Sequence, residues 1–531
     1  GMITLANTGS VITNPSGIAV DIDGSSAGFT FSFAGNITKT NNATTAIDVT
    51  NNTNGTISFT GTSKTLSTST ATAVNLATNT GSTIGFSNGG LGITTTSGTG
   101  FNATGGAAAI NVTGTGNTII ATTGTALNVN NSTIGGSGLT FQSIAANGAA
   151  NGIVLNTTGG LGGLTVTGTG TTDGSGGTIQ NISTRGASFI SARNIALSNM
   201  NFTNAATVDF PAAPTGLSLG NNTGDNAVIH LQGVTNATLD NLNITGSEEQ
   251  GINGHNVNGF TLSNSVLSGL GNGPDEDGLH FYNMVGTCAI TNTSITSSGD
   301  DNVNIQNNTT PIAPPTSVGT ITVTGGSFNT GVGGSALLFG IRGTSTTTIN
   351  ISGVTLDNNF SGGIVADSFD TATMRLDVTG ITDRNNNDGI QVSGHNGSAQ
   401  FDVHNNSDAS AASGLGIYNN DFLGVFMLKS AFSTTGRLEG QITDTEVTIP
   451  DQRSTDAIFM FGAGGSDFRT AMTNNSVSYR GTQRPITASG GQDGAALMDT
   501  SITGNDIDIQ LDGRNNGGGG RRAMGIIAPP A

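Results

Sequence analysis

The sequence predicts an all-β fold, a right-handed parallel β-helix (a single-stranded solenoid) of about 20 coils. Three observations favour it: a composition suited to short strands and turns, a recurring strand motif, and a nearly constant spacing between copies of that motif. We predict one continuous β-helix over residues 1–516, with nearly uncharged coils over 1–180 and charged, loop-bearing coils over 181–516. A Gly/Arg/Pro-rich tail is predicted over residues 517–531.

Composition is the first observation. The chain has 531 residues, of which 83 are Gly, and only 9% are charged, against roughly a quarter in an ordinary globular domain. Thr, Asn, Val and Ile are abundant; β-branched side chains pack well on pleated surfaces, and Gly and Asn tolerate positive φ in turns. Low-complexity disorder is the alternative, but apolar residues make up 34% of the chain and recur regularly, which disorder does not require.

The second observation is a four-residue motif, in which a small or polar residue is followed by an apolar, a variable and another apolar residue. This alternation is typical of a strand with one buried face. Copies include Ala-Ile-Asp-Val (46–49), Ala-Val-Asn-Leu (73–76), Ala-Ile-Asn-Val (109–112), Ala-Leu-Asn-Val (126–129), Gly-Leu-His-Phe (278–281), Asn-Val-Asn-Ile (302–305) and Gly-Ile-Gln-Val (389–392).

The third observation is the spacing of these copies. Val303 follows Leu279, and Ile390 follows Ile364, after nearly the same interval of roughly two dozen residues. A unit of this length cannot bury its apolar face alone, but it can do so when it stacks on its neighbours. Stacking places similar residues above one another at about 4.8 Å per coil, which predicts apolar columns inside and Asn or Gly at the corners.

The net charge of the chain indicates which classes of partner it can bind. The net charge is −18 with a pI near 4.3, and this acidic field disfavours nucleic acid and anionic membrane surfaces. No apolar stretch is long enough to span a membrane, so we predict neither a nucleic-acid partner nor membrane insertion. A secreted or cell-surface location is predicted from composition, since no signal peptide is visible in the sequence.

Other segments carry smaller predictions. The Pro-containing segments 205–225 and 309–318 are predicted to be loops, because Pro cannot donate a hydrogen bond to a strand ladder. The ends of a β-helix expose unpaired strand edges, so self-association through these ends is a further prediction. Cys288 is the one cysteine, which excludes an intrachain disulfide and indicates a small core residue.

The sequence resembles a known class of protein. The runs 94–106, 151–159 and 275–281 look like those of bacterial right-handed parallel β-helix repeat proteins, which are large secreted or surface proteins similar to adhesin and autotransporter passengers. The resemblance covers essentially the whole chain. It implies an extracellular or cell-surface β-helical rod with a structural or adhesive role.

One cluster of residues could take part in catalysis or bind a metal ion. Asp300 follows Asp277 at the spacing of one coil, so these side chains can stand on adjacent rungs with Asp301. Paired carboxylates can act as acid and base in glycoside hydrolysis, or bind Ca²⁺. The catalytic candidates are Asp277, Asp300 and Asp301, with Arg342 as a substrate clamp. The metal candidates are Asp275, Glu276 and Asp277, with calcium as the one cofactor that they could hold.

This cluster is similar to that of polygalacturonase-type β-helix hydrolases, in which Asp-Gly is followed one coil later by Asp-Asp. The similarity is incomplete. That family has Gly-His-Gly on the next coil and then Arg-x-Lys, whereas residues 320–340 contain no His and Arg342 is not followed by the Lys. The alternative is that Asp-Gly and Asp-Asn are ordinary turn residues.

Three further sets of residues are weaker candidates. His230, His255 and His280 recur at equal intervals of about one coil and could form a metal-binding column or a polar stack. The remaining candidates are Arg375 and Arg384 for an anionic polysaccharide, and Tyr282, Tyr418 and Tyr479 for stacking on sugar rings.

Three functions therefore remain open from the sequence. The first is a structural or adhesive rod that meets a surface ligand or polysaccharide. The second is a polysaccharide hydrolase or lyase that uses the Asp277, Asp300 and Asp301 cluster. The third is glycan binding without catalysis through exposed tyrosines.

Overall fold

The computed structural model describes residues 1–208, 226–307, 318–406, 416–418, 420–429, 436–449, 456–462, 467–479, 484–490, 497–509 and 524–527. Every regular element in these ranges is a β-strand. They contain no helix that is long and apolar enough to cross a membrane. The predicted loops at 205–225 and 309–318 lie almost entirely outside the described residues.

The chain divides into two compact units, which are described separately. Unit 1 consists of Gly1–Thr215 and Asn222–Leu270, and unit 2 consists of Gly216–Asn221 and Gly271–Ala531. In each unit all strand pairs are parallel, and each strand pairs with strands of the neighbouring coils. The predicted all-β parallel β-helix is therefore confirmed in both units.

The strands of unit 1 are short, most of them three to six residues long. They are β1 (Met2–Leu5), β2 (Val11–Thr13), β3 (Val20–Asp23), β4 (Thr30–Phe33), β5 (Asn36–Asn42), β6 (Ile47–Thr50), β7 (Thr56–Phe59), β8 (Lys64–Thr68), β9 (Val74–Ala77), β10 (Thr83–Phe86), β11 (Leu91–Thr95), β12 (Phe101–Thr104), β13 (Ala109–Val112), β14 (Thr118–Ala121), β15 (Leu127–Asn130), β16 (Thr133–Phe141), β17 (Ser143–Asn147), β18 (Asn151–Asn156), β19 (Leu164–Val166), β20 (Thr178–Gln180), β21 (Arg185–Ile190), β22 (Arg193–Ser198), β23 (Asn201–Thr203), β24 (Ala227–Gln232), β25 (Thr235–Asp240), β26 (Asn243–Ser247), β27 (Gln250–His255), β28 (Asn258–Ser263) and β29 (Val266–Leu270).

A coil of unit 1 contributes one strand to each of three parallel stacks. Side chains alternate between the inside and the outside of the coil, as the period-2 motif predicts. One inward column runs through successive coils as Ile47, Val74, Phe101, Leu127 and Ile153, all of them fully buried. The motif copy at 109–112 lies in a different stack, where it pairs with β10.

Unit 2 has longer strands that continue around corners. They are β30 (Leu279–Tyr282), β31 (Val285–Ser298), β32 (Val303–Gln306), β33 (Val318–Asn329), β34 (Leu337–Ile341), β35 (Thr346–Ser352), β36 (Thr355–Asp357), β37 (Gly362–Ser368), β38 (Thr373–Thr379), β39 (Thr382–Arg384), β40 (Asp388–Gly394), β41 (Ser398–Asn406), β42 (Gly416–Tyr418), β43 (Leu423–Lys429), β44 (Arg437–Ile449), β45 (Asp456–Gly462), β46 (Asp467–Thr473), β47 (Ser476–Tyr479), β48 (Arg484–Gly490), β49 (Leu497–Thr503), β50 (Asp506–Ile509) and β51 (Met524–Ile527).

One stack of unit 2 positions the candidate site. It contains β30, β32, β34, β37, β40, β43, β45, β48 and β51. Its inward column starts with Leu279, Val303, Leu337, Ile364 and Ile390, which pair in register and are fully buried. Strand β51 falls within the segment 517–531 that the sequence predicts as a tail, and it pairs with β48.

Polar ladders complete the coils. Asn79 Oδ1 accepts hydrogen bonds from the backbone N–H of Asn52 at 3.2 Å and from its side-chain Nδ2 at 2.9 Å. In unit 2, Asn302 donates to Asn359 at 2.9 Å, and Asn359 donates to Asn386 at 3.0 Å. These buried amides satisfy backbone and side-chain groups at corners where strand pairing ends.

Candidate functional site

The candidate site lies at the corner that precedes the strand stack of β30, β32 and β34. Asp277, Asp301 and Ser335 each stand two residues before the first inward residue of these strands. Because those inward residues pair in register from coil to coil, the three side chains form one column. The predicted one-coil relation between Asp277 and the Asp300–Asp301 pair is present in the structure.

Each residue in this column accepts a backbone hydrogen bond from the next coil. Asp277 Oδ1 accepts the N–H of Asp301 at 2.9 Å, and Asp301 Oδ1 accepts the N–H of Ser335. Ser335 Oγ accepts the N–H of Gly362 at 3.3 Å. The column therefore supplies acceptors for backbone N–H groups that would otherwise be buried without partners.

Three carboxylates meet here, and we call Asp277, Asp300 and Asp301 the carboxylate cluster. Each contributes an oxygen atom, and these atoms all lie within 4.8 Å of one another. Asp277 is fully buried and Asp301 is 5% exposed, whereas Asp300 is half-buried. Asp277 Oδ2 lies 2.6 Å from His280 Nδ1, and Asp301 Oδ2 accepts from Asn304 at 3.1 Å.

Burial and neighbouring negative charges favour the protonated forms of Asp300 and Asp301. Burial raises the pKa of Asp300 to about 6, helped by the charges of Asp277 and Asp275. Burial also raises the pKa of Asp301 well above its ordinary value, and the charges of Asp277 and Asp300 add to this effect. Such a cluster can hold a proton for transfer or can gather oxygen ligands around a hard cation.

The predicted calcium ligands are only partly brought together. Asp277 belongs to the carboxylate cluster, where its partners are Asp300 and Asp301. The carboxylate of Glu276 instead accepts the N–H groups of Asn272 and Gly273, which closes its own turn. Asp275 occupies a turn position with φ of 65°. The oxygen set that the fold assembles is therefore Asp277, Asp300 and Asp301.

Arg342 is not brought to the carboxylate cluster. It follows β34, whereas Ser335, which contacts Asp301, precedes that strand. The extended chain between Ser335 and Arg342 separates the two by roughly 20 Å. The Arg342 guanidinium lies 3.8 Å from the ring centroid of Phe369, whose ring stacks on His395 at 4.3 Å. The residue beside Asp301 on the following coil is Ser335.

The weaker candidates are dispersed. Within unit 1, His230 pairs in register with Asn253, and His255 pairs with Gln232, so these histidines do not form one column. In unit 2, Tyr282 and Tyr479 are 3% and 1% exposed, which removes two of the three tyrosines from any exposed stacking platform. Cys288 is buried, as predicted, and burial raises its pKa to about 12.

Sequence reasoning missed a second cluster, formed by Asp377, Asp402 and His404, whose ligand atoms lie within 4.8 Å of one another. The available signal was the alternation Asp402-Val-His404 in a strand, at the spacing of one coil after Asp377. The comparisons with known proteins add no assignment for either cluster: no family model, curated protein or solved structure matches this chain.

Proposed function

We propose that the chain is a structural and adhesive β-helical rod of the cell surface or extracellular space. The observation that carries this proposal is that the side chains best suited to catalysis hold neighbouring coils together. Asp277 and Asp301 are buried, and their oxygens accept backbone hydrogen bonds from one coil to the next. Side chains committed in this way hold coils together and present little surface to a substrate.

The outer faces of the coils support the same proposal. In unit 1, the side chains of Asp48, Asn75, Asn102 and Asn128 are joined by hydrogen bonds of 2.9, 2.8 and 2.7 Å along successive coils. Such a ladder is a regular, half-exposed row of three amides that starts at the carboxylate of Asp48, and amides both donate and accept hydrogen bonds. A surface ligand or a polysaccharide with repeating hydroxyl groups is the partner that this chemistry suits.

A second candidate function is polysaccharide hydrolysis at the carboxylate cluster. The observation that favours it is the convergence of three carboxyl groups within 4.8 Å, with one of them half-exposed. Asp300, whose pKa is raised to about 6, would be the general acid, since glycosidases require one protonated and one ionised carboxyl group.

A depolymerisation assay separates these functions. The intact chain is incubated with a panel of acidic and neutral polysaccharides, with and without Ca²⁺, and both reducing ends and unsaturated products are followed. The structural proposal expects no turnover by the wild-type chain, together with retention of one or more of these polysaccharides on beads that carry the chain. Turnover that Asp300→Asn/Asp301→Asn abolishes would establish the enzyme instead, provided that circular dichroism shows a folded variant.

A further inference from the structure

We infer that unit 2 carries a transition-metal site formed by Asp377, Asp402 and His404, and that this site binds Zn²⁺. The site is independent of the carboxylate cluster and of the function proposed above. Its three residues lie on two neighbouring strands of one stack, β38 and β41. Their ligand atoms lie within 4.8 Å of one another, and Asp402 also lines a groove.

Register places the three side chains together on the outer face of the coil. Asp377 pairs directly with Asp402, and His404 follows two residues later on the same strand. Residues two apart on a strand share a face, and directly paired residues on neighbouring strands are adjacent. The alternate residues Val378 and Val403 are fully buried, whereas Asp377, Asp402 and His404 are half-exposed.

The contacts within the cluster call for a positive charge. His404 Nε2 lies 3.2 Å from Asp377 Oδ1. Asp402 Oδ2 accepts from Gln441 at 3.2 Å, but Asp402 Oδ1 is buried and has no hydrogen-bond partner among the residues that the structure describes. A buried carboxylate oxygen without a donor is costly, and a cation between the two carboxylates and the imidazole removes that cost.

The ligand types favour Zn²⁺ over Ca²⁺. Zn²⁺ accepts His nitrogen together with Asp oxygen, whereas Ca²⁺ is bound by oxygen ligands. The other ring nitrogen, His404 Nδ1, lies 2.8 Å from the side-chain amide of Asn405. As the structure stands, Asn405 Nδ2 donates to Nδ1, so Nε2 holds the ring proton toward Asp377. Zn²⁺ on Nε2 would displace this proton, and the Asn405 amide would turn so that its oxygen accepts the Nδ1–H, the kind of hydrogen bond that orients a metal-ligating imidazole.

A groove gives a metal at this site access to solvent. Asp402 lines an open groove of about 510 Å³, together with Arg375, Gln400, Gln441 and Arg469. Three protein ligands leave at least one coordination position of Zn²⁺ open, as in sites where the metal also binds water. The groove lining also includes the carboxylates of Glu439 and Asp499.

The test is Zn²⁺ binding to the intact, metal-stripped chain by isothermal titration calorimetry, with the visible absorption of Co²⁺ as a probe of ligand geometry. We expect a single tight event that Ca²⁺ does not compete with. His404→Gln and Asp402→Asn are each expected to weaken Zn²⁺ binding by at least about tenfold. The matched controls are His255→Gln in unit 1 and Asp300→Asn/Asp301→Asn, which should bind Zn²⁺ like the wild-type chain.

Two results would overturn the inference. One is the absence of Zn²⁺ binding by a chain whose circular dichroism and melting curve are those of a folded protein. The other is Zn²⁺ binding that His404→Gln leaves unchanged, since this substitution is on a half-exposed side chain and should not disturb folding. A loss of binding in the His255→Gln control would also contradict it, because it would place the ion elsewhere.

Discussion

The first coils of unit 1 bury lysines, whereas the strand stack of unit 2 that begins with β30 buries aspartates at its entry corner. Lys64 is 1% exposed, and its Nζ donates to the carbonyl oxygens of Gly61, Ser87 and Gly89. Asp301 is 5% exposed and accepts the N–H of Ser335. Both residues therefore bond to backbone groups, and neither of these contacts involves an oppositely charged side chain.

The two regions differ in the backbone groups that their corners leave unpaired. Where the chain turns, strand pairing leaves some carbonyls or some N–H groups without partners, and a buried group of either kind must be satisfied. A lysine provides three donors and no acceptor, whereas an aspartate carboxyl group provides acceptor oxygens. The charge type buried in each region therefore follows from the type of backbone group that the corner leaves unpaired.

The apolar columns are common to both units, and their disruption should have the largest effect. Phe86 is 1% exposed and stacks on Phe59 at 4.9 Å. Phe86→Ala should lower the free energy of unfolding by about 3–5 kcal/mol, measured by chemical denaturation followed by circular dichroism. Ile120→Ala is the control, since Ile120 is 51% exposed and the expected change is within about 0.5 kcal/mol.

The corner account predicts a smaller but specific effect in unit 2. Asp301→Ala removes the acceptor of the Ser335 N–H and of Asn304, and should cost about 1–3 kcal/mol of unfolding free energy. Asp300→Ala is the matched comparison: Asp300 is half-buried and its carboxylate hydrogen-bonds to the Asp275 backbone, outside the column formed by Asp277, Asp301 and Ser335, so a smaller loss is expected. An equal or larger loss of unfolding free energy in Asp300→Ala, measured by the same denaturation, would contradict the claim that Asp301 stabilises this corner as a backbone acceptor.

The two kinds of buried charge predict opposite pH dependences. Burial raises the pKa of Asp383 to about 7, so the folded chain holds this proton more tightly than the unfolded chain does. Stability should therefore fall as pH rises from about 4 to 7. Burial lowers the pKa of Lys64 to about 8, so the unfolded chain holds more protons above pH 8. Here stability should rise with pH up to about 10.5.

Thermal melts across this pH range, with unit-specific hydrogen exchange, check both slopes. Asp383→Asn should flatten the acidic slope in unit 2, and Lys64→Met should flatten the basic slope in unit 1. The comparison fails if each variant changes the slope of the other unit instead.

Calcium should produce the smallest effect. If the carboxylate cluster binds Ca²⁺, millimolar Ca²⁺ will raise the melting temperature, because an ion that binds only the folded state stabilises it. Asp300→Asn/Asp301→Asn should remove this increase, and His404→Gln should retain it. A shift that persists in the double variant would place the ion outside the cluster.

Much of this fold could be predicted from the strand motif. In the copy at 46–49, Ile47 and Val49 are fully buried and Asp48 points outward, as the period-2 alternation requires. The copy at 109–112 shows the limit of the motif, which indicates a buried strand but not which of the three stacks that strand joins. The sequence does not predict the buried lysines, because Lys is rarely buried and the carbonyls that Lys64 contacts belong to turns.

The candidate site could be predicted in part. The sequence spacing of Asp277 and Asp300 matches one coil, and for this reason the sequence predicts that the two residues lie close together. The spacing could not show that Asp277 and Asp301 bond to backbone N–H groups, which depends on side-chain direction at the corner. The predicted place of Arg342 at this cluster is wrong, because Arg342 follows β34 and the length of that strand separates it from Asp301.

The most direct test of the account is amide hydrogen exchange, resolved to single residues, at Asp301 and Ser335. The account predicts that Asp277→Ala speeds exchange at the Asp301 amide, and that Asp301→Ala speeds exchange at the Ser335 amide. Amides in the middle of β32 and β34 should stay protected. Unchanged exchange at both amides would contradict the claim that these carboxylates join one coil to the next.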